Sequence, residues 1–186
     1  MARAIGNLEN SIARIEQDHK ECLRKTDQLY DAMTNLRFEG KAAFGRNIND
    51  VKKILDFFDG NFVPHMKLES IIFSYLETHI PRLESIIKIL RAEHNELKVN
   101  LEVLQFLIDE LLKEKNEFKH TQTIEKLKDK TTYFIYLLRN HIQAEDESIY
   151  RIIDQGLHED EKRELLKKIR ESDEWKCISK LCTTIT

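Results

Sequence analysis

Apolar residues return at every third or fourth position over long stretches of this chain, and the stripes break in only a few places. That is the spacing of a one-sided helix rather than of a strand. The first stripe runs from about Gly6 to Leu36 through Ile12, Ile15, His19, Leu23, Tyr30 and Met33. The second holds Leu55, Phe58, Phe62, His65, Glu69, Ile72 and Leu76, and Pro64 within it predicts a kink or a restart, because proline lacks a helical donor. Leu83, Ile87, Leu90, His94, Leu97, Leu101, Leu104 and Ile108 form the third, and Leu127, Phe134, Leu138, His141, Glu145, Ile149 and Ile152 the fourth. Three connections separate them: GKAAFGRN (Gly40 to Asn47) with a helix resuming near Asn49, the break at His79-Ile80-Pro81, and the charged run from Lys113 to Thr123. Gly156 ends the fourth stripe, and a short charged helix follows from His158 to Arg170. The pattern predicts an all-α, up-down-up-down four-helix bundle over residues 1–156, with a C-terminal helix and tail over 157–186.

Composition narrows the function. Five glycines and two prolines in 186 residues leave long helices uninterrupted. A third of the residues are charged, yet the net charge is only −3, with both signs mixed along the chain. This gives no basis for expecting nucleic acid or an acidic membrane surface as partner. No apolar run approaches the ~18 residues of a membrane span, and the first residues lack the apolar core of a signal peptide. Cys22, Cys177 and Cys182 form neither an even set nor a CxxC pair, which favours a reducing, cytoplasmic setting. Cys22 is expected as an inert buried thiol, and the other two lie in the tail.

The histidines on the stripes raise a sharper question. Two residues in an antiparallel hairpin lie at the same height when they are equidistant from the turn. The midpoint of His19 and His65 is position 42, that of His65 and His94 falls between His79 and Ile80, and that of His94 and His141 falls between Glu117 and Phe118. All three fall in predicted turns, so the four histidines should form one layer across the bundle. Glu69 and Glu145 each follow a histidine by four residues, within ~40° and about 6 Å along the helix. Both carboxylates are displaced toward the same end of the bundle and converge on its axis from opposite sides. A single buried histidine is usually a satisfied core residue, and a single HxxxE is usually a surface pair. A level set of four imidazoles and two buried carboxylates is neither, since uncompensated carboxylates would each cost several kcal/mol. A dication removes that difficulty. His79, His120 and His158 are expected on the surface. Tyr30, Tyr133, Tyr136 and Tyr150 are expected as core residues with polar tips, and Tyr30 as a candidate to line the site.

QDHKE around His19, FVPHMKLESIIFSYLE around His65 and Glu69, RAEHNEL around His94, and RNHIQAEDESIY around His141 and Glu145 together resemble the hemerythrin-like, or HHE cation-binding, family of di-iron proteins. The resemblance spans roughly residues 8 to 155. It implies that His19, His65, His94 and His141 are iron ligands and that Glu69 and Glu145 bridge two Fe ions. An oxo or hydroxo bridge would complete five ligands on each, leaving one position open to a small molecule. The oxygen carriers of the family have a further histidine one turn after the third-helix histidine, where this chain has Lys98, and they end in HxxxxD rather than HIQAE. Four histidines with two glutamates are more similar to the di-iron proteins that repair damaged iron–sulfur clusters. The function so implied is a stress-response protein that binds nitric oxide or oxygen, repairs clusters or donates iron, with nitric oxide reduction as the implied activity. A protein partner or a damaged iron–sulfur protein would then be its target. The alternatives are a sensor or carrier of oxygen, nitric oxide or iron without turnover, and a metal-free helical interaction domain.

Overall fold

Helix α1 (Ala2–Phe38) runs 37 residues unbroken, with neither proline nor a β-branched run to stop it. The computed structural model describes residues 2–38, 42–114, 117–173 and 175, with side chains from Ser11 onward apart from 117, 118 and 154. Within α1 the buried positions include Ile15, His19, Cys22, Thr26, Leu29, Met33 and Leu36, in alternating steps of four and three. Helix α2 (Phe44–Phe57), a π-helical turn (Phe58–Phe62) and α3 (Val63–His79) make the second rod, and a 3-10 turn at Pro81–Leu83 leads into α4 (Glu84–Lys113). Helix α5 (Glu117–Glu145), a second π-helical turn (Asp146–Tyr150) and α6 (Arg151–Gly156) make the fourth. The same alternation buries Ile87, Leu90, His94, Leu97, Leu101, Leu104 and Ile108 on α4, and Leu127, Thr131, Phe134, Leu138, His141 and Glu145 on α5. A mean step of 3.5 residues is the seam spacing of helices that pack nearly antiparallel with a slight left-handed twist.

Helix α1 packs on α2 and α5, and α4 packs on α2, α3 and α5, which closes the square of an up-down-up-down bundle. Helix α7 (Glu159–Glu171) folds back over α1 and α3 and buries Leu165, Leu166 and Ile169. His158 caps its N-terminus, with Glu161 completing a capping box. The buried apolar residues divide into two clusters. One includes Leu29, Leu55, Phe58, Leu104 and Phe134; the other includes Ile15, Ile72, Phe73, Ile87 and Leu165. The histidine positions fall between them.

Several sequence expectations are adjusted. The first loop is shorter than the run from Gly40 to Asn47: the chain is helical again from Phe44, because Asn47, Ile48 and Val51 already face the core. Pro64 marks a restart, one of the two outcomes expected of it. It occupies the first turn of α3, and the π turn before it absorbs the missing donor, with the Val63 N–H bonded to the Phe58 carbonyl. The third connection is also shorter, so His120 lies in α5 and not in a loop, with its ring bonded to the Glu114 carbonyl. His79 ends α3, half-buried and stacked on Tyr75, rather than standing free on the surface. Tyr30, Tyr133 and Tyr136 are exposed and not core. Cys22 is buried, and Cys177 and Cys182 lie outside the described residues.

Candidate metal centre

The seam carries His19, His65, His94 and His141 inward at one height, one from each rod, so the structure brings together all six residues singled out in the sequence. The His19 and His65 rings lie 4.8 Å apart and those of His94 and His141 4.6 Å apart, forming two pairs on opposite sides of the axis. Glu69 and Glu145 stand between the pairs, both fully buried. Glu69 Oε1 lies 3.2 Å from His19 Nε2 and 3.0 Å from His65 Nε2, while its Oε2 lies 3.3 Å from His94 Nε2. Glu145 spans the gap in the opposite sense, Oε1 being 3.1 Å from His141 and 3.4 Å from His94, and Oε2 3.4 Å from His19. Each carboxylate therefore faces both histidine pairs with different oxygens.

Most of these inward atoms lack a hydrogen bond: Nε2 of His65, His94 and His141, Oε2 of Glu69, and both oxygens of Glu145. Leaving so many buried polar atoms unpaired is costly unless something else satisfies them. Donors about 2.1 Å from a dication, at octahedral or tetrahedral angles, sit about 3.0–3.4 Å apart. The observed separations match that spacing. Two groups of side chains meet the geometric requirement for holding an ion: His19, His65 and Glu69 form one, and Glu69, His94, His141 and Glu145 the other. The donor set, neutral imidazole with carboxylate, suits zinc, iron or manganese.

Around this layer lies a shell that sequence reasoning missed. Asp146 Oδ1 accepts from His19 Nδ1 at 2.9 Å, and Glu93 Oε2 accepts from His141 Nδ1 at 2.8 Å. Asp18 Oδ2 stands 3.7 Å from His65 Nδ1. The hydrogen bonds from His19 and His141 to these carboxylates fix the tautomer that points Nε2 inward, whereas Asp18 is too far from His65 to hydrogen-bond it. The Tyr150 hydroxyl donates to Glu69 Oε1 at 2.6 Å. Its ring meets that of His19 edge-on. The second π turn makes this possible. Its extra residue brings Tyr150, five positions after Glu145, back over the same face, while Asp146 reaches His19 from the next position. Phe62 stacks on His65 and Phe73 on His94, giving the layer apolar walls.

The electrostatics are those of a cluster prepared for a cation. Burial alone would lower the His19 pKa, but hydrogen bonds to Asp146 and Glu69 and the charges of Glu69 and Glu145 outweigh it and raise it to about 10. His94 is likewise raised to about 9, burial being overcome by its contacts with Glu145 and Glu69. For His65, burial is again the largest influence and acts downward, yet Glu69 and Asp18 together carry its pKa up. Burial pushes Glu69 upward, but His65, His19 and His94 hold it well below the usual carboxylate range.

The sequence model of one family, described as the Hemerythrin HHE cation binding domain, matches residues 10–153. The chain belongs to that family. The match covers all six residues of the layer and most of the four rods of this HHE domain. No curated protein matches the chain. Within the domain, Lys98, one turn after His94, is exposed. The family's cation-binding character and the buried histidine–glutamate cluster together make this a metal-binding protein. Among the described residues, no helix is long and apolar enough to cross a membrane.

Proposed function

We propose that this HHE domain is a non-haem di-iron protein of the nitrosative and oxidative stress response. In this reading His19 and His65 hold one iron, His94 and His141 hold the other, and Glu69 and Glu145 bridge them. The observation that carries it is the set of buried donors without a hydrogen bond, Nε2 of His65, His94 and His141, Oε2 of Glu69 and both Glu145 oxygens, in two adjoining clusters that share Glu69 and could each hold an ion. When bound, such an iron pair supplies redox chemistry and open coordination positions for a diatomic molecule such as nitric oxide or oxygen. The chain's own residues do the rest. Asp146 and Glu93 hold the imidazole tautomers, Tyr150 holds Glu69 in place, and Phe62 and Phe73 restrict water around the layer. The proposed targets are damaged iron–sulfur proteins in a reducing cytoplasm, a setting that fits a chain whose cysteines form no pairing framework.

The test is elemental mass spectrometry of protein purified without oxygen, followed by rapid mixing with nitric oxide. About two irons per chain and fast nitric oxide consumption with product release support the reading. A lasting nitric oxide adduct would make the protein a sensor or carrier instead. Zinc alone, or less than one metal per chain after reconstitution with ferrous iron, would overturn the di-iron reading.

A further inference from the structure

The buried donors of the layer divide unevenly between the two groups that could hold an ion. Glu69, His94, His141 and Glu145 form a group of four, whereas His19, His65 and Glu69 form a group of three. Glu145 approaches His19 at 3.4 Å without joining that smaller group. The donor atoms also differ in what already occupies them. In the group of four, Nε2 of His94 and His141, Oε2 of Glu69 and Oε1 of Glu145 all lack a hydrogen bond. Among the inward atoms of the group of three, only Nε2 of His65 does. Glu69 Oε1 accepts one hydrogen bond from His19 Nε2 at 3.2 Å and another from the Tyr150 hydroxyl at 2.6 Å. The groups behind the layer do not separate the pairs, since each pair has one imidazole hydrogen-bonded from behind, His19 to Asp146 and His141 to Glu93.

From this imbalance, and resting for its second ion on the di-iron reading above, we infer that the centre fills in a fixed order: the His94/His141 position takes the first metal ion, and the His19/His65 position takes the second. The His94/His141 position offers one dication four donors and two carboxylate charges, against three donors and one charge at the other. An ion there satisfies four orphaned buried atoms and breaks no existing hydrogen bond. An ion at the His19/His65 position has to part His19 Nε2 from Glu69 Oε1 and to share that oxygen with Tyr150. Losing a hydrogen bond to a charged group weakens binding there by about tenfold or more. His94 also gives the first ion a way in, because at 7% exposed it is the one imidazole of the four that is more than 1% accessible. Once that ion is seated it holds Glu69 Oε2 and Glu145 Oε1. The other oxygen of each glutamate is then the one the second ion meets beside His19. The chain therefore has a defined one-metal state before the pair is complete.

The test uses the full metal-free chain, labelled with nitrogen-15 at histidine, and zinc(II) as a diamagnetic probe that imidazole and carboxylate donors accept. Side-chain nitrogen spectra are recorded without metal, with one equivalent and with two. At one equivalent the His94 and His141 signals should reach their metal-bound positions, while those of His19 and His65 keep the metal-free ones. The second equivalent should then move His19 and His65. As a second measurement, His65→Ala should leave the affinity for the first zinc unchanged. His141→Ala should lower it by about tenfold or more, with circular dichroism checking that both variants keep their helices. Movement of His19 and His65 first, or of all four signals together at one equivalent, overturns the inference. Loss of the first-ion affinity in His65→Ala but not in His141→Ala does the same. Binding that stops at one ion per chain overturns the di-iron reading instead, and the histidines that moved still decide where that ion sits.

Discussion

Metal loading should expel protons, and the structure gives their number. In the metal-free chain His19 titrates at about 10 and His94 at about 9, because the surrounding carboxylates stabilise both imidazolium ions against the effect of burial. At pH 7.5 both therefore carry protons on nitrogens that the proposed metal would occupy, and His65 is shifted in the same direction. Filling the site at that pH should release about two to three protons per chain, since metal binds only the deprotonated ligand. Each displaced proton makes apparent affinity rise about tenfold per pH unit, so affinity should climb steeply up to pH 9 and flatten beyond 10. Titration calorimetry in two buffers of different ionisation enthalpy measures the release directly. A binding enthalpy independent of buffer at pH 7.5 would refute the reasoning, because it would mean that the imidazoles were already neutral and the carboxylates did not hold them charged.

Four further outcomes follow from the same geometry. Glu145→Gln keeps the size of a side chain that faces both histidine pairs but removes its charge, so metal content should fall to one per chain or less while circular dichroism keeps its helical signal. Phe134→Ala empties a fully buried position in the core on one side of the layer and should cost about 3–5 kcal/mol in chemical denaturation of the metal-free chain. The metal-free chain should lose stability as pH rises, since folded-state pKa values raised above 6.5 stabilise fully below 6.5 and cease to do so by about 10; denaturation midpoints at pH 6.5 and 10 check the sign. Ferrous iron at a hundredfold excess over its dissociation constant should add about 2.7 kcal/mol, roughly 5–10 °C in melting temperature for a chain of this size, and equal melting with and without metal would contradict it.

The bundle and the height of the histidine layer were legible in the sequence because both depend only on spacing. Turns at or close to the midpoints between successive histidines bring the four rings level, the third midpoint falling just inside α5. The surrounding shell was less legible. Asp18 and Glu93 each precede a histidine, yet in the folded chain they serve the histidine of a neighbouring rod, Asp18 facing His65 and Glu93 facing His141. An acidic residue beside a histidine reads as solvated surface until helix pairing is known. Tyr30 and Tyr150 were both expected in the core with polar tips, and only Tyr150 is buried, its hydroxyl bonded to Glu69. Tyr30 lies eleven residues after His19, close to a whole number of turns of a straight helix, but the seam advances by 3.5 residues and passes through Leu29 and Met33, leaving Tyr30 outside. Tyr150 enters the site only because a π turn resets the helix phase after Glu145. Nothing in the three- and four-residue spacing marks such a turn.

The π turns carry a broader consequence for how this domain reconciles packing with chemistry. A seam repeating every 3.5 residues presents one inward side chain at each level of each rod, which suits an apolar core. A metal layer needs more: a ligand, a bridge, and groups behind them, all within a turn or two. The fourth rod supplies His141, Glu145, Asp146 and Tyr150 within ten residues, and an unbroken α-helix would point Tyr150 away from Glu145. The widened turn adds the missing group without displacing Ile149, which continues the second apolar cluster just beyond the layer. The second rod does the converse: its π turn comes before the candidate ligands, seats Phe58 and Phe62 in the first cluster, and starts α3 with its phase set for His65 and Glu69. The two π turns among the described residues therefore fall on the two rods that bring both a histidine and a glutamate to the layer. Those are the rods that must fit two inward polar groups into a seam built for one at each level.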